Sequence, residues 1–293
     1  MSGVLWATAS GIGFGLFQSF NRRALQGIDD PSVSAFLQLS VATVILVVAS
    51  LVSADPSQLG EASRKALVLF ALAGVVHFVL GWVFLNTSQA RIGASRTAPL
   101  ITVTPLFGVV LAALTLGELP SATAFAAIVP IMLGAWLLAS RDGAGVRIQR
   151  DSIFAFGTAL MWALSAVMQS EALEGFDSPV LGVTVGLLAA TAALGGTLFA
   201  RGSLGAVRSI ARNTLALKLL ASVFVAFATW FRLIALDDTD VAVVLATALV
   251  GVPITLVLAP MIVGRHIEQA NARVWLGAAL VVSGVLALLA VEG

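Results

Sequence analysis

From Pro179 to Ala200 the chain runs without a single charged side chain, and stretches of that kind recur along its length. A helix needs about 20 apolar residues to cross the hydrocarbon core of a bilayer. In hydrocarbon each backbone group must bond inside its own structure, so runs this long and continuously apolar suit helices and not the alternating strands of a barrel. Charges, Pro and Gly punctuate the runs and predict ten helices, at about 2–21, 32–53, 66–87, 92–116, 121–140, 152–172, 179–200, 213–236, 240–263 and 272–291. The composition agrees, with 59% hydrophobic and 11% charged residues and a mean hydropathy of +1.03. Soluble domains carry roughly 25% charge. The apolar run after Met1 lacks a basic start and a cleavage pattern, so it reads as the first span and not as a signal peptide.

The second constraint is a duplication. ALQGIDDP at Ala24–Pro31 returns as ALEGFDSP at Ala172–Pro179, an offset of 172 − 24 = 148, and the same offset pairs Trp82 with Trp230 and Pro105 with Pro253. The chain therefore divides into residues 1–145 and 146–293, with five predicted helices in each. An odd number of spans per copy makes the second copy enter the membrane from the opposite side. The fold expected is an all-α polytopic membrane protein of ten transmembrane helices in two inverted five-helix repeats. In each octapeptide the Gly suits a helix C-terminal cap, and Asp with Pro31 or Pro179 suits the start of the next helix.

Loop charge follows the inversion. Arg22 and Arg23 align with Ser170 and Glu171, and Arg91 and Arg96 face Asp237, Asp238 and Asp240 in the other copy. Thirteen Lys and Arg residues, Lys218 among them, fall on one side, and Arg64, Lys65 and Arg232 on the other. By the positive-inside rule both termini lie outside. A net charge of +1 without a Lys/Arg cluster gives no reason to expect nucleic acid, and zero cysteines exclude thiol chemistry.

The segment from Trp82 to Ala139, with Pro105 in mid helix, Gly117-Glu118 near that helix's end and Gly134 in a small-residue fifth helix, resembles an EamA-type half of the drug/metabolite transporter superfamily. Pro253, Gly264 and Gly284 repeat the marks more loosely in the second copy. The resemblance implies a substrate cavity between two inverted halves and alternating access by rocking. It also implies termini inside, opposite to the charge count. Leu119 stands where the family often carries a basic residue, and the related four-helix exporters rely on a first-helix glutamate that is absent here.

Polar groups deep in spans are costly unless they face protein or water, so they are the candidate site residues. In the first copy these are Gln18 and Asn21 on helix one, His77, Trp82 and Asn86 on helix three, and Thr97 and Thr102 on helix four. In the second they are Trp162 and Gln169 on helix six, Trp230 on helix eight and Thr247 on helix nine. Packing through small residues, buried amide pairs and interfacial tryptophans are the competing structural readings. Pro105 and Pro253 leave carbonyls without donors and serve as hinge candidates. Arg232 stands near Asp237 and Asp238, where local ion pairing is expected.

No Asp or Glu lies in the middle of a span, and Gln, Asn, Thr and Trp dominate the candidates. The function expected is a secondary transporter, facilitator or exporter, for a small polar or zwitterionic metabolite, amino acids among them, acting as a monomer in a bilayer, with a bacterial inner membrane as its setting. A proton-coupled exporter using His77 is the alternative. An intramembrane enzyme or a non-transporting scaffold is a further one, but no HExxH, GxSxG or second in-span histidine supports catalysis, and no cofactor or metal site is expected.

Overall fold

The computed structural model describes residues 2–92, 97, 100–117, 119–139, 150–176, 178–263 and 272–292. Arg96, Glu118, Asp177, Gly264, Arg265 and the boundary at 145/146 lie outside the described residues. Within them every regular element is helical. The helices are α1 Gly3–Leu25, α2 Pro31–Ser53, α3 Arg64–Gly74, α4 Trp82–Ile92, α5 Thr104–Thr115 and α6 Ala122–Ala139. They continue as α7 Ile153–Leu173, α8 Pro179–Ala200, α9 Arg212–Asp238, α10 Val241–Thr247, α11 Gly251–Val263 and α12 Ala272–Glu292. Among the described residues, five stretches are long and apolar enough to cross a bilayer: Pro31–Ser53, Arg64–Arg91, Arg150–Leu173, Pro179–Ala200 and Arg212–Asp238.

The repeated octapeptide does two local jobs. Asp30 accepts a 2.7 Å hydrogen bond from the Ser32 N–H, and Pro31 takes the first helical position of α2, where its missing N–H costs nothing. The glycines act differently from the expected caps. Positive φ occurs at Gly117 and Gly202 among the described residues, not at Gly27 or Gly175. They make room instead: a Cβ on Gly27 would stand 2.7 Å from Thr214 Oγ1, and one on Gly175 2.7 Å from Ser63 Oγ. The octapeptide is thus a turn pressed against the start of another helix in both copies.

Two predicted spans are broken. Turn residues Thr102 and Val103 precede α5, and a 3₁₀ turn at Ala248–Val250 separates α10 from α11. Both interruptions fall just ahead of the paired prolines, because a proline supplies no N–H to the carbonyl four residues back and crowds it. The chain between α3 and α4 is a π-helical turn, Val75–Gly81, which no compositional signal marks.

Helix α1 packs on α9 and α11, while α7 packs on α3, the π turn, α4 and α5. A shift of 148 residues turns the first set of neighbours into the second. Helices α2 and α8 cross at the centre, where Thr43 and Thr191, 148 apart in sequence, share a 2.7 Å hydrogen bond. Glycines let α3 and α8 meet backbone to backbone, since a Cβ on Gly74 would fall on the backbone of Gly186. Helices α6 and α12 pair at the periphery, with Ile131 and Val281 buried between them.

Candidate substrate cavity

A cavity of about 130 Å³ opens between the two sequence halves. Phe14, Gly15, Gln18 and Arg22 supply the α1 wall, and His77 and Gln89 project from the π turn and α4. Trp162 comes from α7 and Arg232 from α9, and the second half's broken span contributes Leu245, Ala248, Leu249, Gly251, Val252 and Thr255. Thr97, Ile101, Thr102 and Thr104 form the matching wall in the first half. Both interrupted spans therefore line it, the arrangement in which non-helical backbone at membrane depth is tolerated.

One wall is aromatic. The His77 ring stacks on Trp162 with centroids 5.7 Å apart and 20° between planes, and meets Trp82 edge-on at 6.2 Å. Phe14 flanks Trp162 at 6.2 Å. Gly81 permits this approach, since a Cβ there would lie 2.8 Å from the Trp162 indole. The hydrogen bonds assign the imidazole tautomer. Ser165 Oγ donates to the Trp162 carbonyl at 2.9 Å, so it accepts from His77 Nδ1, 2.8 Å away. A neutral His77 then holds its proton on Nδ1 and offers Nε2 as an acceptor. That Nε2 has no protein partner, and neither does the Trp162 Nε1–H.

Of the two arginines that line the cavity, Arg22 and Arg232, the buried one is Arg232. Its guanidinium donates to Gln169 Oε1 at 2.9 Å while Nε has no protein partner, and the side chain is buried. The expected ion pairing with Asp237 and Asp238 gives way to this amide contact. Positions five and six further along a helix do not share a face with Arg232, whereas α7 brings Gln169 directly opposite. At the other end, Gln89 Nε2 donates to Gln18 Oε1 at 2.8 Å, leaving Gln89 Oε1 without a partner. Among the described lining residues there is no Asp or Glu.

Five expected site residues meet in this cavity: Gln18, His77, Thr97, Thr102 and Trp162. Gln169 stands one hydrogen bond behind it through Arg232. Trp82 is fully buried beside His77 and Phe78, and Thr247 is buried without a partner for its hydroxyl. Trp230 stacks on Phe231 away from the lining, although it occupies the repeat position of Trp82. Asn21 and Asn86 bond to each other at 3.2 Å, outside the lining, and Asn21 also accepts from Lys218. Lys218 corrects the loop count, because it lies inside α9 with no exposed surface. Arg22, counted with the same loop cations, lines the cavity. Sequence reasoning missed Gln89 altogether; its i, i+3 spacing from Asn86 on one helix was the available signal.

The model of the EamA-like transporter family matches residues 1–140. Over 118 residues, 40% of this chain, the sequence is 31% identical to the chloroplastic triose phosphate/phosphate translocator of non-green plastids from Brassica oleracea var. botrytis. It is equally 31% identical, over the same length, to the chloroplastic phosphoenolpyruvate/phosphate translocator 1 of Arabidopsis thaliana. The matched segment spans only 29% and 28% of those relatives. A crystal structure of 18% sequence identity aligns over 98% of this chain and 97% of its own with a TM-score of 0.73, so the fold is shared end to end. The protein is an integral, multi-pass membrane protein, and its residues 1–140 match the model of the EamA-like transporter family.

Proposed function

We propose that the chain is a secondary transporter that carries a small polar metabolite bearing a carboxylate or phosphate group, zwitterions such as amino acids included, by alternating access through the cavity between its halves. The observation that carries this reading is Arg232. A buried guanidinium facing a cavity with no acid among its described lining residues attracts an anion, and its open Nε adds a charge-assisted hydrogen bond. The Trp162 N–H is a second donor, while Gln89 Oε1 and His77 Nε2 are acceptors for a hydroxyl or ammonium on the same molecule. Two relatives named as phosphate translocators agree with an anionic cargo.

The mechanism proposed is rocking of two inverted repeats of five spans each, residues 1–145 and 146–293, around the central α2–α8 crossing. Its support is the repetition of neighbours at an offset of 148 and the bond between Thr43 and its own equivalent, Thr191. Pro105 and Pro253 stand where each broken span restarts and serve as the joints of that motion. One chain supplies both halves of the site, so a monomer suffices.

A thermal-shift screen of the purified full chain against carboxylated, phosphorylated, neutral and cationic metabolites tests the substrate class. Stabilisation by the anionic or zwitterionic set alone is the expected outcome. Stabilisation confined to cations would reject it.

A further inference from the structure

Helix α9 carries a second buried cation, fourteen residues before Arg232 and off the cavity wall. Lys218 Nζ donates to Asn21 Oδ1 on α1 and, at 2.9 Å, to Gln38 Oε1 on α2. Asn21 Nδ2 donates to Asn86 Oδ1 at 3.2 Å, and Asn86 Nδ2 donates to the Pro31 carbonyl at 3.3 Å. Every amide oxygen in this node is therefore taken. What remains is an excess of donors: the third ammonium proton, the Gln38 Nε2 group and the hydroxyl of Ser34, one turn before Gln38 on the same face of α2. Lys218, Gln38 and Ser34 are all 0% exposed. Because a lysine can only donate, the Gln38 amide cannot be flipped to absorb the surplus.

The node thus gathers a buried lysine and two unpartnered neutral donors within the helix bundle, and none of the described residues bonded to them is a carboxylate. An ammonium held there without a counter-charge is costly. We propose that Lys218 Nζ, Gln38 Nε2 and Ser34 Oγ form a binding site for a small monovalent inorganic anion of the chloride type, distinct from the substrate cavity. A single negative charge balances the ammonium. A spherical halide accepts from N–H and O–H donors without the directional demands of a carboxylate. Its occupancy joins α2 of the first half to α9 of the second.

The test is the unfolding temperature of the full-length protein in detergent as sodium chloride replaces sodium gluconate at constant ionic strength. The expected result is a saturable rise, reproduced by bromide, that is absent in Lys218→Met. Ser34→Ala should need several-fold more chloride for the same rise. Arg232→Gln should keep the full chloride response, which separates this site from the cavity. No halide-specific rise in the wild type overturns the proposal. So does an unchanged rise in Ser34→Ala, which decides the matter if Lys218→Met does not fold. A rise lost in Arg232→Gln would assign the anion to the cavity and overturn it as well.

Discussion

Lys218 and Arg232 sit on one helix, about 21 Å apart along its axis at 1.5 Å per residue, and each is held by a side-chain amide from the first helix of a repeat. The two amides, Asn21 and Gln169, are equivalent at the 148-residue offset. Yet the surroundings differ. Around Lys218, Gln38 and the Asn21–Asn86 pair close a network that reaches four helices. Around Arg232 only Gln169 closes in, and Nε, the Trp162 indole and His77 Nε2 are left without protein partners beside a cavity. Positions equivalent at one sequence offset thus hold one basic group inside a network that ties four helices and one beside the substrate cavity. The lesson is that equivalence at the offset fixes where a polar group lies, whereas its neighbours decide whether it faces the substrate cavity or ties helices together.

The sharpest way to break the contrast is Arg232→Gln. Loss of a charge-assisted bond of about 1.5–3 kcal/mol lowers affinity for an anionic substrate by roughly ten- to a hundredfold, with the protein still folded. Ligand titration by thermal shift reads both quantities. Asn21→Ala should act in the opposite sense. It strips Lys218 and Asn86 of partners and destabilises the fold by about 1–3 kcal/mol, visible as a lower unfolding temperature, while substrate affinity in the folded fraction stays near wild type. Gln169→Ala is the matched control: a several-fold weaker substrate affinity, because the guanidinium loses its anchor, with a smaller change in stability. A large stability loss in Gln169→Ala with unchanged binding would erase the distinction. The smallest effect belongs to His77→Gln. A glutamine can replace the acceptor, so transport should persist with a pH profile matching the wild type between about pH 6 and 8. A profile that flattens in this variant would favour the proton-coupled reading.

Much of this frame is legible in the sequence. The repeated octapeptide ends on Pro31 and Pro179, and α2 and α8 start on those residues. Gln18, His77, Thr97, Thr102 and Trp162 are recognisable as polar or aromatic groups deep in apolar runs, and they converge on one cavity. Partnership is not legible. Lys218 lies six residues into α9, where a lysine ordinarily extends toward the interface. Only the fold brings Asn21, 197 positions away, against it. Arg232 reads as paired with nearby aspartates because sequence distance is visible and helix phase is easily overlooked. The π turn at His77 has no signature either, since its i→i+5 bonding depends on the helices packed around it.

The central proposal is that Arg232 is the substrate's charge partner. Counterflow in proteoliposomes preloaded with the best ligand of the thermal screen tests it most directly, comparing wild type, Arg232→Lys and Arg232→Gln. The account predicts accumulation of labelled anionic substrate by the wild type, partial activity with lysine, and none above protein-free liposomes with glutamine. Equal accumulation by the wild type and Arg232→Gln would contradict it.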